Sequence, residues 1–359
     1  MTGLGRVNLL VGTNNSGKTS VLEAINILSA QGRLEIVWDT LTRRGERGVS
    51  EGTRNRIEMD VRHLFFGHEL DQEVVLEISG NNDTVINTFT AKTIEGNSIL
   101  IDSPQPPVLF DDLDLETSMA LEFQWKGNSD SQFAFPITSD GVILISNDLI
   151  KKLANEILRN MRKRDENIMP MRFITTNALS INQIIADFDK IVITPEEDFV
   201  IQSLKTIEPN LERIAPISSE QKNSLAERGG MVVKLANNDQ RIPIGSMGDG
   251  IWRILGIALS LVNARGGILL IDEIDTGLHY KAMENMWRLV METATRLDVQ
   301  VFATTHSRDC YEALAAISRP DVSVGSDISI QRIERGKEQA VSFTEQQIVM
   351  AAESALEIR

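Results

Sequence analysis

Cysteine is nearly absent: Cys310 stands alone in 359 residues. An intrachain disulfide is therefore excluded, a thiolate metal cluster could draw on a single sulfur, and a reducing cytosol is the natural compartment. Basic residues are also short, with 36 Lys and Arg against 51 Asp and Glu and a formal net charge of -15. That balance favours solubility and excludes a surface that coats nucleic acid by bulk electrostatics, so any such contact has to be local. Two local clusters exist, Arg33, Arg43, Arg44, Arg47, Arg54 and Arg56, and then Lys151, Lys152, Arg159, Arg162, Lys163 and Arg164. Solvated faces are the commoner explanation for such clusters. No uninterrupted apolar run approaches membrane-spanning length, and the start carries no basic region followed by a long apolar one. The expectation is a soluble, cytoplasmic chain without a membrane partner.

What the chain does have is a complete GxxxxGKT run, Gly12-Thr13-Asn14-Asn15-Ser16-Gly17-Lys18-Thr19, straight after the apolar run Val7 to Val11. Glycines let consecutive backbone N–H groups turn inward around phosphate oxygens, with Asn14, Asn15, Ser16 and Ser20 in or beside the cradle. Lys18 supplies a point charge for the outer phosphates, and the Thr19 hydroxyl suits Mg²⁺. A helix from Thr19 to Gln31 would add the partial positive charge of its N-terminus. The expected ligand is a nucleoside triphosphate with Mg²⁺.

Between Arg33 and Arg56 no periodicity is sustained, which suggests an exposed, mobile connection. From Arg56 to Ser146 short alternating runs between turn residues predict an antiparallel β lobe. A helix is expected over 148–164, and a second from Thr194-Pro195-Glu196-Glu197 to about Ile207, opened by a capping box. The last third alternates. An apolar stripe on Ile251, Ile254, Leu255, Ala258, Leu259 and Val262 precedes the run Ile268 to Ile271, which reads as a buried parallel strand. A helix through Met283, Trp287 and Leu297 then leads to a strand over Val299 to Thr305. The expected fold class is α/β, a parallel sheet begun at Val7 and completed by the last third, with an antiparallel β lobe and a small helical insertion between. The corresponding segments are 1–55, 56–146, 147–228 and 229–359.

Asp272 and Glu273 end the strand Ile268 to Ile271. In a nucleotide-hydrolysing site the first carboxylate belongs with Mg²⁺, and the second can act as general base toward the attacking water. His306, in Ala303-Thr304-Thr305-His306-Ser307, stands at the end of the next strand, where a parallel sheet gathers its ligands, and suits a γ-phosphate contact. Ser246-Met247-Gly248-Asp249-Gly250 opens the preceding helix, either as a plain cap or as a phosphate-binding helix start.

In this order the motifs resemble the ATP-binding-cassette ATPases of the SMC-like, non-transporter branch. Asp272-Glu273-Ile274-Asp275-Thr276-Gly277-Leu278-His279 with Thr304-Thr305-His306-Ser307 is similar to the OLD-nuclease group, including stand-alone members without a fused Toprim nuclease. The resemblance covers residues 4 to 30 and about 190 to 359. It implies ATP and Mg²⁺ held by Lys18 and Thr19, with Asp272 supporting the metal. Glu273 becomes the catalytic base, His306 a γ-phosphate switch, and Ser246 and Gly248 the contacts across a head-to-tail homodimer that sandwiches two nucleotides. The implied function is ATP hydrolysis coupled to a separately encoded effector, by analogy a Toprim-type nuclease in DNA processing or phage defence.

Three departures accompany this resemblance. Ser246-Met247-Gly248-Asp249 replaces the usual Ser-Gly-Gly-Gln, His279 stands where transporters carry an aspartate, and the metal-contacting glutamine could be Gln105, Gln124 or Gln183. Relatives also carry one or two strands before the phosphate-loop strand, where this chain has Met1 to Arg6. A slowly hydrolysing ATP-gated scaffold is the alternative from another class, and the motor subunit of a transporter a weaker one.

Overall fold

The structure, a computed structural model, describes residues 1–49, 56–70, 74–82, 85–95, 119–127, 130–146, 169–217, 230–236, 238–318 and 328–354. The chain divides into two compact units, Met1–Leu22 with Met169–Arg359, and Glu23–Ile168.

Strand β1 (Val7–Val11) is buried along its whole length. It runs into the glycine loop and helix α1 (Lys18–Ser29), whose second half enters the other unit. There the expected mobile connection is instead helix α2 (Leu34–Arg43) and strand β2 (Arg47–Val49). Leu34, Val37 and Leu41 recur at helical spacing and are buried, so three apolar positions outweigh the surrounding arginines. Two of those arginines are ion-paired: Arg43 with Asp39 at 3.3 Å, and Arg44 with Glu23.

The β lobe forms as expected. Strands β3 (Arg56–Asp60) and, later, β8 (Val142–Ser146) join β2 in a three-stranded antiparallel sheet. Strands β4 (Val75–Asn82), β5 (Val85–Glu95), β6 (Met119–Lys126) and β7 (Ser131–Ile137) make a four-stranded antiparallel meander. Its inward residues Phe89, Phe123, Trp125 and Phe135 share a core with Val37, Leu41, Met59 and Ile143. The expected helix over 148–164, the cluster from Lys151 to Arg164, and Gln105 lie outside the described residues.

The other unit is built on a six-stranded sheet. Strand β9 (Met171–Ile174) belongs to it as an edge, pairing in parallel with β13 (Ile268–Ile271). Residues 169–217 therefore fold with the sheet, although the sequence placed them in an insertion. The strand order is β16-β15-β1-β14-β13-β9, with β14 (Gln300–Thr304) and β15 (Ile328–Arg332) parallel to β1 and only β16 (Val341–Phe343) antiparallel. Buried runs such as Leu269 to Ile271 in β13 and Val301 to Thr304 in β14 suit a sheet covered on both faces.

Helices α3 (Ile181–Asp189) and α4 (Pro195–Lys205) lead to an antiparallel sheet of β10 (Leu211–Pro216), β11 (Met231–Leu235) and β12 (Asn238–Pro243). The capping box expected at Thr194 is not formed. The Thr194 hydroxyl donates to Ile191 O at 2.6 Å, and the Glu197 carboxylate accepts from Ile193 N at 2.7 Å instead. A capping box occurs at Ser180 and Gln183, which occupies the Gln183 amide.

Helix α5 (Asp249–Asn263) is buried on every residue from Ile251 to Val262 rather than along one stripe, since α3, α4, β9 and helix α6 (Tyr280–Leu297) all pack around it. Helices α7 (Arg308–Ile317) and α8 (Glu345–Glu353) complete the unit. Trp287 on α6 is fully buried and donates its indole N–H to Cys310 O at 2.9 Å.

Candidate active site

Chain order along the sheet decides where the motifs meet. Strands β1, β14 and β13 are neighbours and parallel, so the glycine loop, Thr304 to His306 and Asp272-Glu273 leave the same edge side by side. That is the edge at which an α/β sheet collects ligands.

The loop hugs its own strand end. A Cβ on Gly12 would lie 2.3 Å from Ile333 O and 2.9 Å from Ser16 Oγ, so only glycine lets the loop pass. Lys18 is buried, and its ammonium donates to Gly12 O and Thr13 O, each at 2.8 Å. Burial lowers its pKa, opposed by Asp272 and Glu273. Ser16 Oγ is buried with no hydrogen-bond partner among the described residues. Asn14, Asn15 and Ser20 are exposed, Asn15 in a left-handed turn at φ 59°.

Loop and acidic strand touch at one point: the Thr19 hydroxyl lies 3.1 and 3.2 Å from the two Asp272 oxygens. Asp272 is nearly buried and also accepts from the Thr304 hydroxyl at 2.7 Å. An orphaned serine hydroxyl, a lysine resting on loop carbonyls and a threonine hydroxyl against a carboxylate fit a triphosphate with its hard, oxygen-seeking Mg²⁺.

Glu273 adopts φ 46°, a conformation that costs a residue with a Cβ about 1–2 kcal/mol. Its carboxylate is held by Thr276 Oγ1 at 3.3 Å and stands 3.6 Å from His306 Nδ1. The structure thus gathers Lys18, Thr19, Asp272, Glu273 and His306. His306 is exposed, one residue before the Ser307 cap of α7.

Ser246 and Gly248 are placed differently. Ser246 lies in a 3-10 turn, Ile244–Met247, so it is not the helix cap; Gly248 caps α5 at φ 89° without a side-chain hydrogen bond. Both are exposed. The turn after the acidic pair presses on this helix start, since a Cβ on Gly277 would lie 3.0 Å from Asp249 Cβ. His279, at the end of that turn, caps α6 by accepting from Lys281 N at 3.4 Å.

Two contributors escaped the sequence reading. Arg253, on α5, is buried and donates to Thr175 O at 2.9 Å and to Asp272 O and Glu273 O at 2.7 Å each. Burial lowers its pKa to about 10, offset by Asp275, Asp272 and Glu273, which leaves it a cation at physiological pH. Thr305 donates to Asp275 at 2.6 Å and accepts from Ser307 N at 3.0 Å. The available signal was an arginine between Trp252 and Ile254 in an otherwise apolar helix.

A phosphate loop and an acidic strand end, joined through Thr19 and Asp272 in a mostly parallel sheet, define an α/β P-loop ATPase. More particularly, the chain belongs to the family described as AAA domain, putative AbiEii toxin, Type IV TA system, which matches residues 7–309. It is 21% identical over 339 residues to a Helicobacter pylori protein named ATP/GTP phosphatase, covering 88% of this chain and 84% of that one. Among solved structures it is similar to an SmcHead bound to the C-winged helix domain of ScpA, with a TM-score of 0.46, 13% identity, and coverage of 95% of this chain and 92% of that chain. The SMC head domain from Thermotoga maritima gives a TM-score of 0.38, 12% identity, and coverage of 96% and 92%. No helix among the described residues is long and apolar enough to cross a membrane.

Proposed function

We propose that this chain binds ATP in the loop from Gly12 to Ser20 and hydrolyses it. The carrying observation is the contact between Thr19 and Asp272, which joins the phosphate cradle to a second acidic residue, Glu273, one position on. Mg²⁺, when bound by Thr19 with Asp272 behind it, supplies charge to the phosphate oxygens. Lys18 leaves its two loop carbonyls for the outer phosphates, Glu273 takes the proton of the attacking water, and His306, beside Glu273, contacts the γ-phosphate.

Ser246 and Gly248 serve a second copy. They are exposed, and α5 begins on a glycine without a side-chain cap, which suits an anion approaching from outside the subunit. Two chains facing head to tail would each complete the other's nucleotide site, tightening with ATP and loosening on hydrolysis. Such a dimer regulates a separately encoded effector. The resemblance to the stand-alone OLD-type ATPases supports a Toprim-type nuclease, and the family description, which names a putative toxin, supports a role in prokaryotic defence.

Turnover and molecular mass of wild type, Lys18→Ala and Glu273→Gln, with and without ATP and Mg²⁺, test the reading. Turnover is lost in both variants, and Glu273→Gln accumulates as an ATP-dependent dimer. Equal turnover in all three chains sinks the catalytic assignment, and a mass indifferent to ATP sinks the dimer.

A further inference from the structure

The Glu273 backbone is held from both sides by side chains of other elements. Its N–H donates to Thr304 Oγ1 at 2.8 Å, and its carbonyl accepts from Arg253 Nη2 at 2.7 Å. Neither partner belongs to β13, the strand that leads into Glu273: Thr304 ends β14, and Arg253 lies in α5. The residue so held has φ 46°. A Cβ-bearing residue leaves that conformation readily unless its surroundings fix both of its peptide groups.

Both holders are themselves committed. Thr304 is fully buried, and its hydroxyl, after accepting from Glu273 N, has one proton to give, which goes to Asp272 Oδ1 at 2.7 Å. One hydroxyl thereby sets the Glu273 amide and the Asp272 carboxylate together. Arg253 spreads its fork over three carbonyls, Thr175, Asp272 and Glu273, a use for which the planar guanidinium is suited and an ammonium is not. A buried cation directed at backbone oxygens next to two acidic side chains is an expensive way to stabilise a strand end, and an apolar residue would fill an apolar helix at lower cost.

We propose that Arg253 and Thr304 are positioning residues for hydrolysis, clamping the carbonyl and the amide of Glu273 so that its carboxylate is presented between Thr276 and His306. This rests on Glu273 being the general base. Neither residue is expected to touch nucleotide. The clamp therefore acts on kcat and leaves ATP affinity nearly unchanged, which a residue that merely supports the fold would not do selectively.

The test uses the full chain in six forms: wild type, Arg253→Met, Arg253→Lys, Thr304→Val, Thr304→Ser and Glu273→Gln. Steady-state hydrolysis is read beside ATP binding by titration and thermal melting. Arg253→Met and Thr304→Val lower kcat at least tenfold, with ATP affinity within threefold of wild type. Thr304→Ser, which keeps the hydroxyl, recovers most of the rate, and Arg253→Lys recovers little because one ammonium cannot span three carbonyls. Should Arg253→Met fail to fold, the Thr304 pair decides, since valine matches threonine in shape. If Glu273→Gln abolishes turnover while Thr304→Val and Thr304→Ser both stay within threefold of wild type, the clamp is refuted and the general base stands. If Glu273→Gln turns over like wild type, the base assignment itself has failed.

Discussion

Replacing Gly12 by alanine adds one methyl group at the tightest point of the phosphate loop. Its Cβ would stand 2.3 Å from Ile333 O, a backbone atom that cannot swing aside as a side chain can. Ile333 N meanwhile donates to Val11 O at 2.8 Å, so displacing Ile333 loosens the register of β1 against the segment following β15. Restoring an ordinary carbon–oxygen separation needs a shift of about 1 Å, and overpacking of this kind costs about 1–3 kcal/mol. For a unit of this size that is a fall in Tm of roughly 2–12 °C. The larger effect falls on ATP, because losing one or two backbone N–H bonds to charged oxygens, at about 1.5–3 kcal/mol each, weakens binding by at least tenfold. The assay is a thermal melt across an ATP and Mg²⁺ titration, which reports both quantities from one data set through mass-action stabilisation. Gly17→Ala is the comparison: Gly17 sits at φ 97°, but nothing lies within 4 Å of an added Cβ, so it carries the conformational cost without the clash. If Gly12→Ala melts within 1 °C of wild type and binds ATP equally well, the close approach to Ile333 O does not exist in solution.

Trp287→Phe removes the indole that donates to Cys310 O and leaves space in the core between α6 and α7, so stability falls by about 2–4 kcal/mol, a drop in Tm of roughly 4–16 °C, while kcat at 25 °C is unchanged where the chain stays folded. Gly267→Ala places a Cβ 1.8 Å from Pro170 O at the junction of β9 and β13, and expression as soluble protein should drop sharply relative to Gly266→Ala, whose Cβ meets nothing within 4 Å. Burial pushes the Glu46 carboxyl above its ordinary value of 4.5, against the opposing pull of Arg44 and His63. The folded state therefore binds the proton more tightly than the unfolded one, and this group's contribution to stability falls as pH rises from 4.5 through the folded value. Glu46→Gln should accordingly gain Tm over wild type as pH rises through that window and keep the gain at pH 7; a difference in Tm that does not change with pH contradicts this account.

Much of the site was legible because its chemistry is carried by short, contiguous text. The strand before the loop, the helix after it, the acidic pair and the strand-end histidine each obey local rules, and parallel pairing of β1, β14 and β13 is what such text requires in order to bring Lys18, Asp272 and His306 to one edge. The errors have a common physical origin, in that they concern residues whose role depends on something distant in sequence. Arg33 to Arg56 read as a mobile connection because no periodicity is sustained along it, yet three buried apolar residues suffice for a helix once a β lobe stands behind them. Residues 171–174 are too few to announce a strand, and only the Leu269 to Ile271 run, almost a hundred residues later, gives them a partner.

Arg253 and Thr304 make the same point about function. Their significance lies in bonds to the backbone of Glu273, 20 and 31 residues away in sequence, and backbone atoms leave no mark in the alphabet of side chains. The chemistry of a P-loop site is thus written in its motifs, whereas the backbone conformation of Glu273, the proposed base, is held by side chains that meet it only in the fold. A buried arginine in an apolar helix is the trace such a residue leaves, because desolvating a guanidinium is tolerated only where several oxygens converge on it. In this chain those oxygens belong to Thr175, Asp272 and Glu273, which places the cost of burying the charge at the backbone segment that carries the proposed general base.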